Sequence, residues 1–120
     1  AIIRSWASAA LAPRDTGLGP VHAVPKALDR AGLSIGDLDL VEINEAFAVV
    51  PMAAMVELSL PHAKVNVLGG ACALGHPIGA SGARILVTLL NALRLKGGKR
   101  GVASLCIGGG EATAMAVELI

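Results

Sequence analysis

Short apolar runs, separated by turn residues, divide the chain into alternating strands and helices. β-Branched residues and alternation are typical of strands, whereas apolar residues three or four positions apart are typical of amphipathic helices. Helices are predicted to begin near residues 20, 45 and 77 and to end near residues 31, 58 and 95. Strands are predicted at residues 2–11, 40–43, 65–68, 101–107 and 112–120. Such a mixture predicts an α/β fold.

Glycine and proline mark several of these boundaries. Gly32 is expected to end the first helix, and Pro51 is expected to kink or break the second helix in its first turns. Residues 13–20 and 69–75 are rich in turn formers and are predicted to be loops. The three glycines at 108–110 predict the turn of an antiparallel hairpin.

The helix predicted from residue 77 to residue 95 is apolar on nearly all sides. Its polar residues form one narrow stripe, namely Ser81, Arg84, Thr88 and Asn91. A helix with such a surface is normally buried on nearly all sides, which is hard to arrange in a lone 120-residue domain. We therefore expect a partner domain, or a second copy of the chain, to cover its other face.

The composition excludes several classes of function. With 54% apolar and 16% charged residues, the chain is expected to fold around a core. A net charge of +1 and 2% aromatic residues do not favour nucleic-acid binding. Cys72 and Cys106 are far apart and form no CxxC motif, so neither a zinc site nor a disulfide framework is expected.

The same composition argues against a membrane protein. The longest stretch without a charged residue, 65–83, contains five glycines and a proline, so it is not expected to cross a bilayer as a helix. No basic region precedes an apolar run near residue 1, so no signal peptide is expected. These observations predict a cytoplasmic location with no membrane partner.

Three residues at element boundaries are candidates for chemistry, each with a structural alternative. Cys106 is either a small buried side chain or a thiol beside the glycines at 108–110, whose N–H groups can face an oxyanion. His76 is either an ordinary loop residue or a neutral base at the positive end of a helix. Asn44 is either a helix N-cap or an amide that orients a substrate or a water.

The remaining candidates are expected to have structural roles. Glu45 suits a helix N-terminus. His22 and His62 lie beside prolines and are predicted to be at the surface. Cys72 lies in a glycine-rich loop, and no neighbouring base supports a nucleophilic role for it.

Three motifs, taken together, favour the functional alternatives for these residues. They occur in the order NEAF at 44–47, GHPIGASG at 75–82 and CIGGG at 106–110. The set closely resembles the C-terminal half of the thiolases, the family of acetyl-CoA acetyltransferase and 3-ketoacyl-CoA thiolase. The likeness covers nearly the whole chain. Thiolase-like lipid-carrier proteins usually have His-Asp in place of Asn-Glu, and ketoacyl synthases lack the Cys-x-Gly-Gly-Gly ending.

The resemblance implies a fold and a domain organisation. The expected fold is thiolase-like, one half of a layered α-β-α-β-α architecture with a five-stranded mixed sheet and helices on both faces. Residues 1–120 would form one C-terminal domain, with the helix at 78–95 in the central layer. The half that bears the nucleophile is absent from this sequence, so the fragment alone is expected to be inactive.

The resemblance also implies roles for individual residues. Thiolases transfer an acyl group to a cysteine and then to a second CoA thioester. His76 would activate that cysteine, and with a water held by Asn44 it would stabilise the thioester enolate. Cys106 would move the α-proton of the second substrate. Gly108 would donate its N–H to the acyl-enzyme carbonyl, and Phe47 would line the pantetheine arm.

The expected ligands are acyl-CoA and CoA as substrates, with no permanently bound cofactor and no metal. The expected partners are the N-terminal thiolase domain and further copies of the chain. His22 and residues 49–51 depart from the usual family pattern near helices. Cys72 stands where the family usually has an aliphatic residue, so it is not assigned as the nucleophile.

A non-catalytic thiolase-like domain, which binds acyl chains or a partner protein, is the alternative. The joint presence of Asn44, His76 and Cys106 favours the enzyme, because a degenerate copy needs none of them. A ketoacyl-synthase-like condensing enzyme is disfavoured by the motif at Cys106.

Overall fold

The computed structural model describes residues 1–120 and contains one mixed sheet. Its strands are β1 (Ile2–Ala10), β2 (Leu40–Ile43), β3 (Arg100–Ile107) and β4 (Glu111–Glu118). The order across the sheet is β1-β4-β3-β2. β2 runs parallel to β3, whereas β4 is antiparallel to both β3 and β1. The predicted hairpin between β3 and β4 is thereby confirmed.

The sheet has four strands, so the expectation of five was wrong. The strand predicted at 65–68 is reduced to one parallel bridge between Val65 and Val41. Asn66 then turns the chain away with a φ of 48°. Its side chain replaces the missing strand, because Ile43 N–H donates to its Oδ1 at 2.8 Å and its Nδ2 donates to Ile43 O at 2.8 Å. These bonds satisfy backbone groups that a fifth strand would have paired.

The helices are α1 (Gly19–Ala31), α2 (Val49–Glu57), α3 (Ala71–Leu74) and α4 (Ser81–Lys96). Short 3₁₀ segments lie at Pro13–Leu18, Ile35–Asp37 and His62–Lys64. α1 ends at Gly32 in the left-handed conformation, as predicted. α2 and α4 each begin four residues later than expected, and Pro51 lies in the first turn of α2, where it leaves the helix intact.

Helices cover both faces of the sheet. α1 and α2 pack on one face over a core of small and branched residues, among them Val24, Leu28 and Val102. α4 packs on the other face through Ile85, Leu89, Ala92 and Leu93. α4 packs closely on the sheet because Gly101 has no side chain, and a Cβ added there would lie 2.7 Å from Leu89 Cδ1.

The outer side of α4 stays exposed in this chain. Val87 is 67% exposed, and Ile78, just before the helix, is 85% exposed. Leu68 and Leu74 continue the apolar surface beside the helix. The burial predicted for this helix is therefore met on one side only. None of the helices combines the length and the apolar character that a membrane-spanning segment needs.

Candidate active site

Asn44 lies at the carboxyl edge of the sheet, directly after β2. Its backbone N–H donates to Ser104 O at 2.9 Å, which extends the pairing of β2 with β3 by one residue. Residues two apart on a strand share a face, so the side chains of Glu42 and Asn44 both point towards α4. Both contact Arg84 of that helix, and the Asn44 side chain is fully buried. Asn44 is therefore not the N-cap of α2.

The side-chain amide of Asn44 joins α4 to His76. Arg84 Nη2 donates to Asn44 Oδ1 at 3.2 Å, and Asn44 Nδ2 lies 3.3 Å from His76 Nε2. The guanidinium has donors only, so it identifies the oxygen end of the amide. The NH₂ end consequently donates to His76, and Nε2 must be the accepting nitrogen of the ring.

Ser81 fixes the other ring nitrogen of His76. Ser81 Oγ lies 2.5 Å from Nδ1 and also donates to Pro77 O at 3.2 Å. A hydroxyl has one hydrogen, so Oγ accepts from Nδ1–H. The network therefore assigns a neutral ring with its proton on Nδ1 and a lone pair on Nε2. His76 itself is exposed, so this ring can act as a positioned base towards a group outside the chain.

Glu45 anchors the loop that carries His76. Its Oε2 accepts from Cys72 N–H at 2.9 Å, and its Oε1 accepts from Asn66 Nδ2 at 3.1 Å. Partial burial favours the neutral carboxyl, but the hydrogen bonds from Cys72 and Asn66 hold the pKa of Glu45 below its ordinary value. The carboxylate lies against Gly70, where no Cβ fits. The expected loop at 69–75 thus contains the short helix α3 and is fixed to the sheet.

Cys72 is exposed, and the carboxylate of Glu45 raises the pKa of its thiol through a side-chain hydrogen bond and through charge. A raised pKa disfavours the thiolate, which is the nucleophilic form. The electrostatics agree with leaving Cys72 out of the nucleophile role.

Cys106 lies near the end of β3, and its side chain packs in the core on the α1 face. Burial raises the pKa of the Cys106 thiol, so the protonated form is favoured. Gly19 at the start of α1 packs against the strand end, where an added Cβ would meet Ala112 and contact Cys106. Gly108 follows in the exposed turn after β3.

The one side-chain hydrogen bond among the predicted site residues joins Asn44 to His76. Cys106 and Gly108 lie at the same carboxyl edge of the parallel pair β2–β3, but the Cys106 side chain packs on the α1 face, opposite to the face of Asn44, and no hydrogen bond joins them to the pair. Phe47 lies in the turn before α2 and is 75% exposed.

Four residues of this arrangement were missed by sequence reasoning, and one of them, Glu42, was assigned only to a predicted strand. Ser81 and Arg84 were recognised only as members of a polar stripe on a helix. Asn66 was placed within a strand. The available signal for Ser81 and Arg84 was their spacing of three residues, which puts both on the helix side that faces the sheet edge.

The relatives of this sequence identify the class of protein to which the chain belongs. The family model described as "Thiolase, C-terminal domain" matches residues 1–119, and the chain belongs to this family. Among curated relatives, the cytosolic acetyl-CoA acetyltransferase of Mus musculus is 57% identical over 116 residues. The acetyl-CoA acetyltransferase of Escherichia coli (strain K12) is 55% identical over 116 residues. Each match covers 97% of this chain and 29% of the relative.

Solved structures show the same fold. The acetyl-CoA acetyltransferase of Bacillus anthracis superposes with a TM-score of 0.95 at 45% identity, over 98% of this chain and 30% of that one. Human mitochondrial 3-ketoacyl-CoA thiolase superposes with a TM-score of 0.93 at 48% identity, over 97% and 29%. A further structure of that human enzyme is a complex with CoA and superposes at 0.93. The α/β thiolase fold is confirmed, and the chain spans less than a third of the length of these relatives.

Proposed function

We propose that this chain is the C-terminal catalytic half of a thiolase, which transfers acyl groups between CoA thioesters. The reaction is the Claisen condensation of acetyl-CoA or the thiolysis of a 3-ketoacyl-CoA. The observation that carries the proposal is the geometry of His76, whose Nε2 is held as an acceptor by Asn44 while Ser81 accepts from Nδ1. A ring held in this tautomer can take a proton from a thiol at Nε2 once the thiol replaces the Asn44 amide there, because Nε2 has a single lone pair.

In the acylation step, His76 Nε2 takes the proton of a cysteine thiol supplied from outside these 120 residues. The thiolate attacks the thioester carbonyl, a new S–C bond forms, and the C–S bond to CoA breaks. The departing CoA thiolate takes a proton from solvent, and His76 keeps its own proton on Nε2 for the condensation step. Gly108, in the exposed turn after β3, donates its N–H to the acyl-enzyme carbonyl.

In the condensation step, the Cys106 thiol first gives up its proton to solvent, and the thiolate then removes the α-proton of a second acetyl-CoA. The resulting enolate oxygen is stabilised by the His76 ring in its Nε2-protonated form and by a water held by Asn44. The carbanion attacks the acyl-enzyme carbonyl, and a C–C bond forms as the C–S bond to the nucleophilic cysteine breaks. His76 then returns its Nε2 proton to that cysteine. Phe47, exposed beside the same sheet edge, lines the pantetheine arm of the substrate.

The remainder of the enzyme supplies what this chain lacks. An N-terminal half carries the nucleophile and covers the apolar outer side of α4, which completes the layered α-β-α-β-α architecture, and the whole protein assembles as a homo-oligomer. The isolated 120-residue chain is therefore expected not to cleave acetoacetyl-CoA in the presence of CoA. The cytoplasmic location stays a prediction, because the relatives include a protein named as cytosolic and one named as mitochondrial.

The alternative, a non-catalytic domain that binds acyl chains or a partner protein, is not favoured. The relatives at 55% to 57% identity are named as acetyltransferases.

The test is CoA-dependent cleavage of acetoacetyl-CoA by the full-length protein. Wild type is expected to turn over, and His76→Ala is expected to lose about 10²- to 10⁴-fold in rate because a positioned base is removed. His62→Ala is the matched control, since His62 is exposed in a 3₁₀ segment and forms none of the contacts of the pair. Equal turnover of wild type and His76→Ala would refute the proposal.

A further inference from the structure

We propose that Arg84, held by Glu42, is a positioning residue that fixes the side-chain amide of Asn44 and thereby the tautomer of His76. The kinetic part of this inference rests on the proposed function. The part that concerns the tautomer stands on the contacts of this chain alone.

The first observation is a buried ion pair between β2 and α4. Glu42 is 1% exposed, and its Oε2 lies 3.7 Å from Arg84 Nη1, which is longer than a hydrogen bond. Oε2 of Glu42 and both Nε and Nη1 of Arg84 are buried without a hydrogen-bond partner. Apolar residues in the same space generally stabilise a fold at least as well as such a pair. The ion pair is therefore expected to act by orienting the Arg84 side chain.

The second observation is the contact that Arg84 makes with its remaining nitrogen. Nη2 donates to Asn44 Oδ1 at 3.2 Å, and a charged donor makes a stronger hydrogen bond than a neutral one. The two ends of a side-chain amide have nearly the same shape. Without the guanidinium, the amide is free to rotate and to offer Oδ1 to His76 Nε2. An oxygen at that position favours the ring form with its proton on Nε2, which is not a base towards a thiol.

The third observation is that one helix controls both nitrogens of the ring. Ser81 and Arg84 lie three residues apart on α4, nearly one turn. Ser81 binds Nδ1 directly, whereas Arg84 acts on Nε2 through Asn44. α4 therefore fixes the proton position as a rigid unit. Glu42, from the sheet, lies beside the guanidinium, and its carboxylate, which predominates above about pH 7, keeps the guanidinium facing the amide.

The direct test is ¹⁵N NMR of the full-length protein with labelled histidine, with the His76 signals assigned by their loss in a His76→Gln variant. Wild type is expected to show a neutral ring protonated at Nδ1. Arg84→Met is expected to shift the ring towards the form protonated at Nε2, and Glu42→Gln to shift it in the same direction by less. Arg14→Met is the matched control, because the Arg14 side chain is 87% exposed and remote from the pair.

The kinetic test uses a double-mutant cycle with Asn44. Arg84→Met is expected to lower kcat for cleavage of acetoacetyl-CoA by about 10- to 100-fold with little change in KM, as expected for misplacement of a reacting group. In an Asn44→Ala background, the same substitution is expected to cost nothing further. Arg84→Lys keeps the positive charge but has a single nitrogen in place of the planar guanidinium. Its kcat is expected to lie between those of wild type and Arg84→Met.

The outcomes separate this inference from the proposed function. An unchanged tautomer in both Arg84→Met and Glu42→Gln would overturn it, as would losses that add fully in the Asn44→Ala background. If Arg84→Met does not fold, Arg84→Lys and Glu42→Gln decide the matter by the same readouts. A wild-type protein that does not cleave acetoacetyl-CoA would overturn the proposed function, while the NMR result would still decide the role of Arg84.

Discussion

Asn44 Nδ2 lies 3.3 Å from His76 Nε2, across 32 residues of sequence, and this contact connects the end of β2 to the loop before α4. The amide is fully buried, whereas the histidine is exposed. A buried donor thus supports an exposed base, and the ring is oriented before any substrate arrives. Such preorganisation lowers the reorganisation required during reaction.

Replacing Asn44 by aspartate keeps the shape of the side chain and removes its only donor. A carboxylate next to Nε2 favours the protonated ring, so His76 can no longer take a proton from a thiol. We expect Asn44→Asp to lower kcat for cleavage of acetoacetyl-CoA by about 10²- to 10³-fold. Asp29→Asn, the reverse exchange at an exposed position of α1, is the control and is expected to be near wild type. Comparable losses in both variants would contradict the role assigned to Asn44.

Cys106 is expected to serve condensation more than acylation. Burial raises the pKa of its thiol, which keeps the proton on sulfur at neutral pH until a substrate approaches. Cys106→Ser should lower the rate of condensation by about 10²- to 10⁴-fold, the usual cost of losing an acid/base group. Exchange of acetyl groups between acetyl-CoA and labelled CoA should be affected much less. If both rates fall equally, the division of labour between Cys106 and His76 is wrong.

Gly70 is expected to tolerate no side chain, because the carboxylate of Glu45 occupies the position of a Cβ. Gly70→Ala should displace Glu45 from Cys72 N–H and cost about 1 to 3 kcal/mol in the free energy of unfolding. Urea denaturation measures this change. Gly79→Ala is the control: open space surrounds that position, and a change within about 0.5 kcal/mol is expected. Equal effects would show that the loop does not depend on the Glu45 contact.

The pH dependence of stability tests the burial of Glu42. Burial raises the pKa of Glu42 from 4.5 to about 7, against the opposing charge of Arg84 and with a smaller contribution from Glu45. Between these two values the folded state holds a proton that the unfolded state has released. Stability is therefore expected to fall as pH rises through this range, by about 3 kcal/mol in total.

Glu42→Gln has nothing to titrate at this position, so its stability should change less steeply with pH. Thermal melts of both proteins between pH 4.5 and pH 7.5 provide the comparison, in steps of about half a unit. Parallel curves would mean that Glu42 ionises in the folded protein as it does in the unfolded chain.

Local patterns were sufficient for most of the fold. Alternation and glycines predicted β3, β4 and their hairpin because these elements are neighbours in sequence. The role of Asn44 could not be predicted in this way. Its local sequence suits a helix N-cap, but its side chain accepts a hydrogen bond from Arg84, 40 residues away. The prediction of a fifth strand was wrong for a similar reason, since the Asn66 side chain replaces backbone pairing with Ile43. Contacts of this kind depend on the assembled fold and have no short-range signature.

The candidate site was likewise predicted only in part from the sequence. The motifs at 44–47, 75–82 and 106–110 placed Asn44, His76 and Cys106 in one predicted site through resemblance to a family. The structure adds the direct contact of Asn44 with His76. The supporting residues Glu42 and Arg84 were not predicted, because a buried ion pair separated by 42 residues leaves no pattern in the sequence.

The proposed role of His76 is to activate a nucleophile supplied from outside these 120 residues. The most direct measurement is peptide mapping of the full-length protein by mass spectrometry after brief exposure to acetyl-CoA. We expect one acetyl thioester per chain, on a cysteine outside residues 1–120. Its level should be that of wild type in Cys106→Ser and strongly reduced in His76→Ala. An acetyl group on Cys72 or Cys106, or full acetylation of His76→Ala, would contradict it.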